Sequence, residues 1–89
     1  MKNRDYKKII EHFGEDNQLG KTLEELTELI AEVVNFSRHR ANKKELTEEI
    51  ADVYNVLEQL KIITGIDDDD IEFTRNYKNA RTLDRMRNN

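Results

Sequence analysis

The lack of proline, together with the scarcity of glycine, is the feature that most constrains the fold of this chain. Its 89 residues contain no Pro and only three Gly, so the turns of a β-sandwich or barrel have few residues to form them. The glycines, Gly14, Gly20 and Gly65, each lie near a change in the apolar pattern. Between them, apolar residues recur at spacings of three and four, which is typical of amphipathic helices. We predict an all-α fold.

Four helices follow from this periodicity, at about residues 5–13, 20–36, 43–63 and 68–86. Gly14 and Gly65 suit the left-handed residue that ends a helix, and Asp67 can cap the start of the fourth. The second helix presents the apolar face Leu23, Leu26, Ile30, Val33 and Val34, and the third presents Leu46, Ile50, Val53, Leu57 and Leu60. We predict that residues 1–89 form one helical domain with the second and third helices at its core. A chain this short buries only about 60–65% of its unfolded surface, so we expect a homodimer or homotetramer to complete the bundle.

Composition excludes several classes of protein. The chain has no Cys, which excludes disulfides, zinc–thiolate sites, iron–sulfur clusters and thiol catalysis. It carries 15 Lys+Arg against 19 Asp+Glu, a formal net charge of -4, and an acidic chain is a poor general binder of nucleic acid. Apolar runs are too short to span a bilayer, and the N-terminus lacks a signal-peptide core. We expect a cytoplasmic protein with neither a nucleic acid nor a membrane partner.

One acidic residue departs from the pattern of a plain amphipathic helix. At about 100° per residue, Glu49 falls within the apolar arc of the third helix, and Asp52 lies at the edge of that arc. Carboxylates are rarely buried without a partner. A residue that does not fit the amphipathic pattern of its own helix often belongs to a functional site.

Two pairs of carboxylates can form a metal site. Glu25 and Glu28 lie one turn apart on the second helix, and Glu49 and Asp52 do so on the third. The short linker favours antiparallel packing, which would let the pairs face each other. Converging carboxylates repel and need protons or a cation, and oxygen ligands select Mg²⁺ or Mn²⁺. The alternative is a solvated face with ion pairs, because the stripe containing Glu25 and Glu28 lies away from the apolar face.

The acids also form a recognisable motif. The sequence E-E-L-T-E at residues 24–28, followed after twenty residues by E-I-A-D at residues 49–52, resembles the EExxE…ExxD signature of MazG-like nucleotide pyrophosphohydrolases. This all-α superfamily includes the dimeric dUTPases and dCTPases. Residues 18–29 and 52–57 are similar to its second and third helices. The segment K-x-x-R-T at residues 78–82 resembles the basic motif of small phage and bacterial members, so the resemblance covers nearly the whole chain.

The resemblance implies Mg-dependent hydrolysis of a (deoxy)nucleoside triphosphate to a monophosphate and pyrophosphate, as nucleotide-pool house-cleaning. The metal ligands it implies are Glu25, Glu28, Glu49 and Asp52. Glu28 and Glu49 would be catalytic, with Glu28 favoured to orient or deprotonate the attacking water. Substrate would be bound by Lys78 and Arg81 at the phosphates and by Asn55 and Gln18 at the base or sugar.

Other interpretations stay open. Lys78, Arg81 and Arg85 can simply complement a helix dipole, and Gln18 can serve capping and packing. The chain can be a catalytically weak nucleotide-binding or protein-interaction module of the same fold. A small DNA-associated protein is the third alternative, because residues 75–87 are basic, although the net acidity opposes it.

Overall fold

Four α-helices make up the computed structural model, which describes residues 1–88. They are α1 (Asn3–Phe13), α2 (Glu15–His39), α3 (Lys43–Thr64) and α4 (Asp68–Arg87). The prediction of an all-α chain is confirmed, since the described residues between the helices form only short connections.

The helix boundaries follow from local backbone chemistry. Gly65 is left-handed, with a φ of 71°, and Gly14 has a φ of 92° with an extended ψ of 149°; glycine adopts both of these positive-φ conformations without strain. The side chain of Asp67 accepts a hydrogen bond of 3.0 Å from the backbone N–H of Asp69, as expected for a cap. These three predicted boundaries are confirmed.

The predicted start of the second helix is wrong, because α2 begins at Glu15 and runs through Gly20. The side chain of Asn17 donates a 2.6 Å hydrogen bond to the carbonyl of Phe13, which links α2 to the end of α1. Glu15 and Asp16 lie in the first turn, where negative charge is favourable. A glycine inside a helix costs only about 1 kcal/mol relative to alanine, so Gly20 does not stop the helix.

An antiparallel hairpin of α2 and α3 forms the main body of the molecule. Near the start of α2, Nε2 of Gln18 donates a 2.7 Å hydrogen bond to Oε1 of Gln59, near the end of α3. At the opposite end, Nδ2 of Asn42 donates a 2.6 Å bond to Oε2 of Glu32. The ends of the two helices are therefore paired in opposite order, as the short linker predicted.

Helix α1 packs on both helices of this hairpin. Its side chains Tyr6 and Ile10 are buried, together with Val53 and Val56 of α3. The hydroxyl of Tyr6 donates a 3.0 Å hydrogen bond to Oδ1 of Asn55. This small apolar cluster holds α1 against the end of the hairpin where α2 begins.

The apolar face of α2 is not part of this core. Its residues remain exposed, with Leu23 at 68% and Ile30 at 65% of full accessibility. The side of α2 that faces the rest of the molecule instead carries the buried residues Gln18, Thr22 and Glu25. Within the single chain the second helix does not contribute its most apolar stripe to the core, because periodicity identifies a face but not the surface that covers it. The bundle core completed by oligomerisation stays a prediction.

Helix α4 makes few contacts with the other helices, and it contains no buried residue. A salt bridge between Lys61 and Asp68 joins its first turn to α3. Its aromatic residues Phe73 and Tyr77 are exposed. None of the described helices combines the length and apolar composition that a membrane crossing requires.

Candidate metal centre

The hairpin brings together the four acids that the sequence singled out. Carboxylate oxygens of Glu25, Glu49 and Asp52 lie within 4.8 Å of one another. A second group, which shares Glu25, contains Glu24 and Glu28 at the same spacing. Because Glu25 belongs to both groups, α2 and α3 form one continuous cluster of oxygen donors. We call Glu25, Glu28, Glu49 and Asp52 the carboxylate cluster.

Glu25 is the most buried member of the carboxylate cluster, with 4% of its surface exposed. The sequence pattern alone indicated that its stripe on α2 is solvated, and for Glu25 that interpretation is wrong. Glu28, one turn later, is exposed and lies at the edge of the cluster. The difference arises because α3 covers the side of α2 on which Glu25 lies.

Two carboxylate oxygens in the cluster are buried without a hydrogen-bond partner among the described residues. They are Oε2 of Glu25 and Oε2 of Glu49. A buried polar atom without a partner is unfavourable, and more so when it carries charge. A solvated helix face does not account for these atoms, whereas a cation bound by both helices, or a proton shared between the carboxylates, would satisfy them.

The acidity of Glu49 reflects this crowding. Loss of hydration, followed by the neighbouring carboxylates of Glu28 and Glu25, raises the pKa of Glu49 from 4.5 to about 7. The cluster therefore retains a proton on Glu49 to a higher pH than a solvated glutamate would. This proton reduces the repulsion that the converging carboxylates would otherwise experience.

Lys21 is the cation nearest to the cluster, and the sequence interpretation missed it. Its Nζ lies 3.1 Å from Oε1 of Glu25 and 3.7 Å from Oε1 of Glu24. The hydrogen bond to Glu25, followed by the charges of the nearby glutamates, raises the pKa of Lys21 above its usual value. The spacing of four residues between Lys21 and Glu25 was a signal for this pair.

The titration of Glu49 predicts how stability depends on pH in the absence of metal. The folded chain holds the Glu49 proton up to about pH 7, whereas the unfolded chain releases it near pH 4.5. The folded state thus binds more protons in this window, and the contribution of Glu49 to the free energy of unfolding is lost as pH rises through 7. We expect urea denaturation with EDTA present to give a lower free energy of unfolding at pH 8 than at pH 6.

The control for this measurement is Glu49→Gln, which has no proton to lose. Its free energy of unfolding should fall less between pH 6 and pH 8 than that of the unsubstituted chain. Equal pH dependence in the two proteins would contradict the assignment of the titration to Glu49.

The predicted phosphate-binding residues are not near the cluster within one chain. Lys78 and Arg81 lie on the exposed surface of α4, which does not pack against α2. The guanidinium of Arg81 lies 5.8 Å from the ring centre of Tyr77. Neither cation forms a salt bridge with an acid of the described residues.

The two predicted base or sugar contacts already have partners. Oδ1 of Asn55 accepts the hydrogen bond from Tyr6, although Asn55 itself is exposed. Gln18 is buried and its amide donates to Gln59, as the packing interpretation of Gln18 predicts. Their role in binding a nucleotide stays a prediction.

Comparisons with protein families, with curated proteins and with solved structures found no match to this chain. The resemblance to MazG-like enzymes therefore depends on the motifs in the sequence alone.

Proposed function

We propose that this protein is a metal-dependent pyrophosphohydrolase of the MazG-like type, which converts (deoxy)nucleoside triphosphates to monophosphates and pyrophosphate. The observation that supports this most directly is the meeting of Glu25, Glu49 and Asp52 from two helices within 4.8 Å. House-cleaning of the nucleotide pool is the role that such an activity would serve.

The donor set fits a hard divalent cation. All of the side chains in the carboxylate cluster offer oxygen, which favours Mg²⁺ or Mn²⁺ over softer metals. Glu25, Glu28, Glu49 and Asp52 would hold the ion, and the unpartnered oxygens of Glu25 and Glu49 would become ligands. When bound, such an ion supplies positive charge to phosphate oxygens and makes a coordinated water more acidic.

The chain itself supplies groups for proton transfer. The pKa of Glu49 is raised to about 7 in the metal-free cluster, and a divalent ion would displace that proton so that Glu49 becomes a ligand. Glu28 is exposed at the rim of the cluster, where it can orient or deprotonate a water that approaches the substrate. We assign these two residues to catalysis: Glu28 would act on the water, and Glu49 would help to hold the ion that activates it.

Lys78 and Arg81 cannot bind phosphate at the carboxylate cluster with α4 in the position that it has in a single chain. Because α4 does not pack against α2, these cations reach the cluster only if α4 moves or if a second copy contributes its own α4. The exposed apolar face of α2 offers a surface for such a copy. We propose a homodimer or homotetramer in which this face is covered.

The direct test is release of pyrophosphate from a panel of deoxynucleoside triphosphates. We expect turnover of at least one nucleotide with Mg²⁺ or Mn²⁺, and none when EDTA removes the metal. Enzyme purified in EDTA and then supplied with Mg²⁺ should regain its activity. Absence of turnover for every nucleotide, combined with absence of Mg²⁺ binding by calorimetry, would reject the proposal.

The exposure of Lys78 and Arg81 on α4 also favours a second candidate. A catalytically weak module of the same fold could bind nucleotides or a protein partner through α4 without hydrolysing them. Calorimetric binding of a nucleotide without formation of product would favour this function over the enzyme.

A further inference from the structure

Lys21 occupies one side of the most buried acid in the carboxylate cluster. Its Nζ lies 3.1 Å from Oε1 of Glu25, and its own side chain is 49% exposed while that of Glu25 is 5% exposed. The other oxygen of Glu25, Oε2, has no partner among the described residues. One carboxylate oxygen of Glu25 therefore contacts a solvent-exposed cation, and the other oxygen is buried without a hydrogen-bond partner.

We infer that Lys21 is a built-in counter-ion of the carboxylate cluster, which stabilises Glu25 when no divalent cation is present and opposes the binding of that cation. The inference rests on the metal site proposed above. It assigns to Lys21 the control of how tightly the site holds its ion, and it does not place Lys21 among the metal ligands or the proton-transferring groups.

The effect of Lys21 depends on where its positive charge lies. In the absence of metal, Lys21 is the cation closest to Glu25, and loss of one partner of a buried ion pair is more destabilising than loss of an exposed pair. A divalent ion at Glu25 would be repelled across a short distance by the ammonium of Lys21. The positive charge of Lys21 therefore stabilises the metal-free chain, and the same charge weakens the affinity of the cluster for a divalent cation.

Lys61 provides a matched comparison within the same molecule. Its Nζ lies 3.0 Å from Oε1 of Glu58 and also pairs with Asp68, so it too bridges two acids. The side chains of these acids are 40% and 75% exposed, and neither belongs to the carboxylate cluster. A general effect of removing a lysine should appear in both variants, whereas an effect on the metal site should appear only at Lys21.

The experiment compares the unsubstituted chain with Lys21→Met and Lys61→Met. Methionine keeps an unbranched side chain of similar length and high helix propensity. Mg²⁺ binding is measured by isothermal titration calorimetry at pH 8 and constant ionic strength. The Tm of each protein is measured in EDTA and in saturating Mg²⁺.

We expect Lys21→Met to lower the Tm in EDTA by about 4–8 °C and to bind Mg²⁺ about 3- to 10-fold more tightly. Saturating Mg²⁺ should restore most of the lost Tm. Lys61→Met should bind Mg²⁺ with the affinity of the unsubstituted chain. Lys21→Arg, which keeps the charge, should retain that affinity as well.

Two results would overturn the inference, and they are distinguishable. If the unsubstituted chain binds Mg²⁺ and Lys21→Met binds it equally or more weakly, the role of Lys21 is wrong while the proposed metal site stands. If neither protein binds Mg²⁺, the inference fails together with the metal site. Should Lys21→Met be unfolded in EDTA, the affinity of Lys21→Gln decides the question by the same criteria.

Discussion

Replacement of Glu49 by Gln is expected to reduce kcat/KM for nucleotide hydrolysis by about 100-fold or more, while the chain stays folded. Glutamine has the shape of glutamate but carries no negative charge, and it is therefore a poorer ligand for a divalent ion. The substitution also removes one negative charge from a crowded group of acids. Activity is measured by pyrophosphate release, and folding by circular dichroism and thermal denaturation.

Glu48→Gln is the matched control for this substitution. Glu48 precedes Glu49 on α3 but is exposed and lies outside both groups of converging carboxylates. It should keep near-normal activity although it loses the same charge. If Glu49→Gln kept full activity, or if both variants lost activity equally, the assignment of Glu49 to the reaction would be wrong.

Replacement of Ile30 by Asp is expected to dissociate the proposed homodimer or homotetramer. Ile30 is 65% exposed in the single chain and lies in the middle of the apolar face of α2. An aspartate there would be buried without a partner at the interface, which should weaken association about 100-fold or more. Light scattering coupled to size-exclusion chromatography measures the mass of both proteins at equal concentration.

The comparison variant is Asn35→Asp, which adds the same charge to α2. Asn35 is exposed and points away from the apolar face by the geometry of the helix. This variant should keep the oligomeric state of the unsubstituted chain. A monomeric, cooperatively folded unsubstituted protein at micromolar concentration would contradict the proposal that the apolar face of α2 is covered by another copy.

Local chemistry made much of the helical framework predictable. The boundaries at Gly14, Gly65 and Asp67 depend on backbone conformation and on a short side chain that caps a helix. Such preferences act within a few residues and can be recognised in the sequence. Gly20 shows the limit of this approach, because an exposed glycine with open space around it is tolerated inside a helix.

The candidate site was predictable where a residue conflicted with its own helix. Glu49 lay in an apolar arc, and in the structure its Oε2 is buried without a partner. Glu25 gave no such signal, because its own helix indicated a polar stripe and only the position of α3 buries it. Lys21 was missed for the same reason, since its importance depends on the burial of Glu25.

The tertiary arrangement was less predictable, because a periodic pattern does not specify which neighbour an apolar face contacts. Within one chain, α2 packs on α3 through the stripe that contains Thr22 and Glu25, while Ile30 remains exposed. The burial of this mixed stripe follows from contacts between residues far apart in the chain. Helical periodicity describes only one helix at a time.

Polar contacts near the two ends of the hairpin fix the register of its helices. Gln18 pairs with Gln59 at one end, and Asn42 contacts the backbone and side chain of Glu32 at the other. A slip of α2 along α3 by one turn, about 5.4 Å, would break both contacts at once and leave buried amides unpaired. Apolar surfaces alone would penalise such sliding less, so these amides select a single alignment of the hairpin, as buried polar residues do in coiled coils.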